Sequence, residues 1–178
     1  LPSGSSDQMK FQFIGNACGI FHGLNGTKIL CDPWIVDGVM EGSWFHYPPL
    51  TTCVDDIQDV NAIFLSHLHP DHYDQRNFYF PQDIPIIVLD QEPNFLIKVL
   101  SKSGFKNLLT VKNSETIQFN EFELTLFGPF TKNYFHNAQV GQMIDSAMIL
   151  ESNGLTAFNA NDNNPDLESC RALKNRFG

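Results

Sequence analysis

The sequence predicts a mixed α/β (α+β) fold, β-sheets with helices packed outside them, and three observations predict it. Apolar runs of strand length recur from Met9 onward, split by Gly, Asn and Pro. Several of these runs flank tight turns rich in Asn and Gly, which read as hairpins. Two stretches carry helical spacing instead, one between two strands and one at the end of the chain.

Taken in order, "KFQFIG" alternates as a half-buried strand. "GIFHGL" and "TKILCD" flank the turn "NGT" at Asn25–Gly26–Thr27, a hairpin signal. "VNAIFL" reads as a buried strand ending at Ser66, and "IPIIVL" as another. "EPNFLIKVLSKSG" places Phe95, Leu96, Val99 and Leu100 on one helical face, and Gly104 closes it. "NLLTV" returns as a strand, so the middle of the chain is a βα unit. "ETIQF" and "EFELTLFG" turn around Asn120–Glu121, and "SAMILES" and "LTAFNAN" around Asn153–Gly154. "NPDLESCRALKNRFG" is a helix with Pro165 near its start, acidic residues early, basic residues late and Gly178 as its stop.

The segment "PWIVDGVMEGSWFHYPPL" has neither period and reads as a long loop. Its Trp44, His46 and Tyr47 either contact a substrate or fold over a small core of the loop's own. Leu1 to Gln8, small and polar, read as a vector-derived remnant, which leaves residues 9–178 as one domain.

Composition excludes several functions. Lys and Arg number 11 against 20 Asp and Glu, a net charge of −9, which is ill suited to tracking a phosphate backbone. No nucleic-acid partner is expected, and an RNA-processing nuclease is disfavoured. No run approaches the ~20 apolar residues of a membrane span. The four cysteines are scattered with no CxxC pair, so reduced thiols and a cytoplasmic setting are expected. There is no GxSxG, P-loop or GxGxxG.

The chemistry concentrates in "SHLHPDH", Ser66 to His72. His67 and His69, two residues apart at a strand end, project to the same side. Pro70 turns the chain, and Asp71 and His72 follow into the same volume. Three of the six histidines share this window, and burying them unpaired would cost several kcal/mol. Imidazole nitrogen with carboxylate oxygen suits zinc, iron or manganese.

"SHLHPDH" resembles the HxHxDH signature of the metallo-β-lactamase superfamily. With "GNACGIF", "GTKILCDPWI" and "YPP" upstream, the chain from Met9 to about Asp162 is similar to the metallo-β-lactamase-like domain of CMP-N-acetylneuraminate hydroxylases and their bacterial relatives. The resemblance implies an αββα four-layer sandwich holding one or two metal ions, with zinc the first expectation and iron or manganese the others. It implies that His67 and His69 bind the first metal and Asp71 and His72 the second. Asp32 hydrogen-bonds behind these ligands or caps the turn before Pro33. Asp162 either bridges the metals or caps the next helix. The resemblance also asks for a histidine upstream of "SAMILES": His136 is the only one after the motif, with Asp145 the alternative. A last histidine should follow Asp162. None does, so either the domain is C-terminally truncated, part of a longer chain, which is the expectation, or the second site is incomplete; a homo-oligomer is the other partner expected.

The implied activity is metal-dependent hydrolysis: a metal-activated hydroxide attacks an ester, lactone or phosphodiester of a small phosphate- or sugar-bearing substrate, with Asp162 and Asp71 orienting the nucleophile. The alternative is a metal-binding module, weakly active or inactive, within a larger sugar-modifying enzyme. Cys18 and His22 have the wrong spacing for a Rieske ligand pair, so no iron–sulfur cluster is expected.

Overall fold

Continuous apolar runs such as "AIFL" and "IIVL" imply strands buried on both faces, and the computed structural model, which describes residues 8–130 and 145–178, shows that arrangement. Six strands form the first sheet: β1 (Lys10–Gly15), β2 (Cys18–His22), β3 (Lys28–Cys31), β4 (Ala62–Phe64), β5 (Ile86–Asp90) and β6 (Leu108–Lys112), in that spatial order. β1 to β3 pair antiparallel, whereas β3 to β6 run parallel. The second sheet is the antiparallel meander β7 (Thr116–Phe119), β8 (Phe122–Phe127), β9 (Ala147–Ser152) and β10 (Leu155–Asn159). The three predicted hairpins form at their predicted turns. Asn153 and Gly154 both have positive φ, 51° and 75°, the backbone that a two-residue hairpin turn needs.

Period-two alternation sorts side chains into layers. Ile29, Cys31, Ala62, Phe64, Ile87 and Leu89 face Phe122, Leu124, Leu126, Met148 and Leu150 in a core between the two sheets. Leu30, Ile63, Leu65, Ile86 and Val88 point the other way, against helix α1 (Phe95–Lys102) through Leu96 and Leu100. On the far side, Phe127, Ala147 and Ile149 meet Leu173 and Phe177 of helix α2 (Leu167–Phe177). The result is the αββα sandwich of the metallo-β-lactamase-like fold, as expected. Asn94 caps α1, its Oδ1 accepting from Ile97 N at 3.0 Å, and Gly104 (φ 95°) follows its end. Asp166 caps α2 through Ser169 N at 2.7 Å. Among the described residues no helix is long and apolar enough to cross a membrane.

Two elements differ from expectation. The strand before the motif stops at Phe64, so the histidines lie beyond it. Leu65 N still reaches Ile87 O, but Ser66 N donates to the Asp32 carboxylate instead of a neighbouring strand, which ends the ladder. Within the long loop, Val39–Gly42 forms a single turn, with Met40 and Glu41 at positive φ and Gly38 leading in.

This topology gathers chemistry at one end. Parallel β3 and β4 deliver Asp32 and the motif from their carboxyl ends. The antiparallel pair β9 and β10 brings the entry to β9 and the exit from β10 to the same place. Ligands in open parallel sheets bind at strand carboxyl ends for this reason.

Candidate metal centre

The cluster is built from Asp32 outward. This fully buried carboxylate, at a φ of 37° just after β3, accepts from Ser66 N at 2.8 Å through Oδ1 and from Ser66 Oγ at 2.8 Å through Oδ2. Ser66 Oγ also lies 2.8 Å from His67 Nδ1 and 3.2 Å from His72 Nδ1. A hydroxyl has one proton and two lone pairs. With its proton on Asp32, Ser66 Oγ accepts from both rings, so the network assigns a proton to each Nδ1. His72 Nδ1 adds a contact to Asp32 Oδ2 at 3.1 Å, and Asp145 Oδ1 sits 3.1 Å from His67 Nδ1. That last contact is not a hydrogen bond: among the described residues no donor satisfies Asp145 Oδ1.

With protons fixed at both Nδ1 atoms, the Nε2 atoms face inward, where His72 Nε2 takes either a proton or a cation. His67 Nε2 is 3.9 Å and His72 Nε2 3.5 Å from Asp162 Oδ2. Asp71 Oδ2 is 3.6 Å from His72 Nε2, and His69 Nδ1 is hydrogen-bonded to His67 Nε2 at 2.7 Å. His67, His72 and Asp162 therefore converge, with His69 beside His67 Nε2 and Asp71 beside His72 Nε2. His69 arrives there although no strand carries it, because its carbonyl accepts from His72 N and Tyr73 N in a tight turn through Pro70. Burial, then the neighbouring His67, holds the His69 ring below the usual imidazole pKa. At His72 burial alone would act likewise, but the Asp32 hydrogen bond and the charges of Asp32, Asp71 and Asp162 win, raising it to about 9. The carboxylates around His72 thus favour positive charge at that ring.

These donors fit a divalent ion. Atoms sharing one tetrahedral zinc stand about 3.4 Å apart at the usual bond lengths. The separations here, 3.5 and 3.9 Å, are close to that. His67, His72 and Asp162 form the one group of His, Cys, Asp or Glu, among the described residues, able to share an ion. The cysteines are free, Cys18 and Cys31 buried, Cys53 and Cys170 exposed, and none belongs to the group.

His136 lies outside the described residues. Trp44, His46 and Tyr47 are not among the residues lining the cavity at the cluster. His46 is buried, its Nδ1 2.6 Å from Asp37 Oδ1 and its ring 4.2 Å from Trp34; Tyr47 is 97% exposed. The cavity, about 650 Å³, opens between β1 and β10 and is lined by Phe11, Phe13, Phe158, Asp71, His72 and Asp162 among others. Sequence reasoning passed over Ser66, although it adjoins His67, and over the alternating asparagines around Asp162.

No family model matches the chain. It is 27% identical over 164 residues, 88% of its length, to a protein of Mycolicibacterium smegmatis carrying the name Rieske 2Fe-2S iron-sulfur protein, of which that stretch is 30%. It is 28% identical over 125 residues to the cytidine monophosphate-N-acetylneuraminic acid hydroxylase of Asterias rubens, covering 64% of this chain and 18% of that one. The chain thus spans about a third or less of the length of the curated relatives it matches. Among solved structures, a possible metal-dependent hydrolase from Veillonella parvula superposes with a TM-score of 0.75 at 23% identity, over 94% of this chain and 68% of that one. At that identity the likeness speaks for the fold.

Proposed function

We propose that this chain is a metal-dependent hydrolase acting on an ester, lactone or phosphodiester of a small substrate. The observation that carries the reading is the convergence of one ring nitrogen each of His67 and His72 with a carboxylate oxygen of Asp162, all within 4.8 Å of one another. The name of the Veillonella parvula neighbour supports it. His67, His69, Asp71, His72 and Asp162 would hold zinc, iron or manganese, one ion or two, and His136 is the further candidate. A bound divalent ion there supplies a Lewis acid and a water acidified towards neutrality.

The chain's own groups do the rest. Asp32, through Ser66, keeps the two Nδ1 protons away from the ligand side. Asp71 and Asp162, themselves part of the ligand set, would orient a nucleophile and take its proton. Phe11, Phe13 and Phe158 offer apolar faces to a sugar or lactone ring in the adjoining cavity. Free cysteines suit a cytoplasmic setting, which belongs to the same proposal.

The test is elemental analysis of the purified protein, followed by turnover of ester, lactone and phosphodiester substrates before and after chelation. One or two ions per chain, activity lost with chelator and regained with zinc, manganese or iron, is the expected result. A protein that takes up no metal refutes the reading. A second reading, a weakly active metal-binding module of a larger sugar-modifying enzyme, is favoured by the chain's small share of the length of its relatives. Full metal uptake without turnover of any substrate would select it.

A further inference from the structure

Asp162 presents a difficulty. Its side chain is 57% exposed, yet its carboxylate must hold a fixed place against two buried imidazoles. Where an exposed carboxylate on a loop can reach is set by the backbone that carries it, so a shifting backbone would move it out of range.

The loop carrying it, "NANDNN" at 159–164, is clamped on both sides. On one side, Asn161 sits at a φ of 51°, its N–H donates to Asn159 Oδ1 at 3.2 Å, and its Nδ2 donates to Ser146 O at 3.2 Å. Ser146 in turn donates through N at 3.3 Å and Oγ at 3.0 Å to Ser66 O, the carbonyl immediately before His67. On the other side, buried Asn163 donates through Nδ2 to Gly128 O and accepts at Oδ1 from Phe130 N, both at 2.9 Å. Residues 161 and 163 therefore hold the backbone of Asp162 from either flank.

We propose that Asn161 is a positioning residue for Asp162, tying the Asp162 loop through Ser146 to the backbone of the histidine motif, with Asn163 as the opposite anchor. This rests on the metal-centre reading above. The relay registers the two halves of the site, which come from different sheets and are nearly a hundred residues apart in sequence. Asn is suited to position 161 because it tolerates positive φ and its amide supplies a donor to a carbonyl.

The test uses cobalt(II) as the probe, titrated into the metal-free chain and followed by its d–d absorption, with zinc affinity measured by chelator competition. The variants are Asn161→Gly, which keeps the backbone geometry and removes the amide, and Asn161→Asp, which keeps the turn preference but cannot donate to Ser146 O. Asp162→Ala is the reference. Affinity should fall 10–100-fold in both Asn161 variants. The cobalt bands should shift towards those of Asp162→Ala, while thermal melting of the metal-free protein changes little. Wild-type cobalt bands and affinity in either folded Asn161 variant overturn the positioning role while leaving the metal centre standing. If wild type binds neither cobalt nor zinc, the metal reading fails, and this inference with it.

Discussion

Replacing Ser66 by alanine tests the central claim about how the histidines are held. The substitution removes one hydroxyl from a fully buried junction and disturbs three contacts: a bond to Asp32 Oδ2 at 2.8 Å, one from His67 Nδ1 at 2.8 Å and one from His72 Nδ1 at 3.2 Å. Asp32 retains Ser66 N and His72 Nδ1 as donors, and His72 therefore stays satisfied. His67 Nδ1 keeps only the Asp145 carboxylate at 3.1 Å, which is not hydrogen-bonded to it. One charge-assisted bond is lost outright, and one buried ring nitrogen is left poorly paired. At about 1.5–3 kcal/mol for the first and about 1 for the second, the loss is about 2.5–4 kcal/mol. Urea denaturation of the metal-free protein measures it as a lower midpoint at unchanged slope. Zinc affinity should fall 10–100-fold alongside, because the ring that loses its partner no longer presents Nε2 reliably. A Ser66→Ala midpoint within about 0.5 kcal/mol of wild type, with zinc affinity intact, would refute the assignment of both Nδ1 protons to this network.

Other parts of the molecule answer to independent measurements. Leu124 is fully buried between the sheets, so Leu124→Ala should cost about 2–5 kcal/mol in denaturant and give a clearly lower Tm. Gly154 has φ 75° with open space at its Cβ position, so Gly154→Ala should cost about 1–2 kcal/mol through the backbone alone; no change would show that the turn relaxes. Glu121 staples the β2–β3 turn to the β7–β8 turn, accepting from Asn25 N and Thr27 N at 2.8–3.2 Å. Burial is the largest single influence and opposes its charge, but the donors of Asn25, Thr27 and Leu24 together outweigh it and hold its pKa below the usual glutamate value. Its contribution is therefore complete above the ordinary value and lost as pH falls through the depressed one. Glu121→Gln should cost about 1 kcal/mol at neutral pH, discounted for exposure, and the gap to wild type should close in strong acid.

Much of this protein was legible in its sequence, because local rules suffice for local structure. The three hairpins followed from turn residues whose backbone preferences are intrinsic. Asn153–Gly154 shows this most plainly, since both positions need positive φ. Both helices followed from spacing and end signals, Gly104, Pro165 and Gly178 among them, while the caps Asn94 and Asp166 emerged from the structure. The motif "SHLHPDH" was visible as chemistry because three histidines and an aspartate within six residues leave little other use for them, and its resemblance carried the layered fold with it.

What tertiary structure decided was everything requiring two distant segments to meet. That Asp32, Ser66, Ser146, Asn161 and Asp162 lie at one end of the sandwich depends on parallel β3 and β4 ending beside the entry to β9 and the exit from β10. No periodicity encodes that coincidence. Ser66 looked like a bystander because its role exists only once Asp32, 34 residues away, comes within 2.8 Å of it. The aromatic loop shows the converse: Trp44, His46 and Tyr47 look alike in sequence, yet packing buries His46 between Trp34 and Asp37 and leaves Tyr47 exposed. Residue type states what a side chain can do. Only the fold, by setting which groups lose water together, determines what it does.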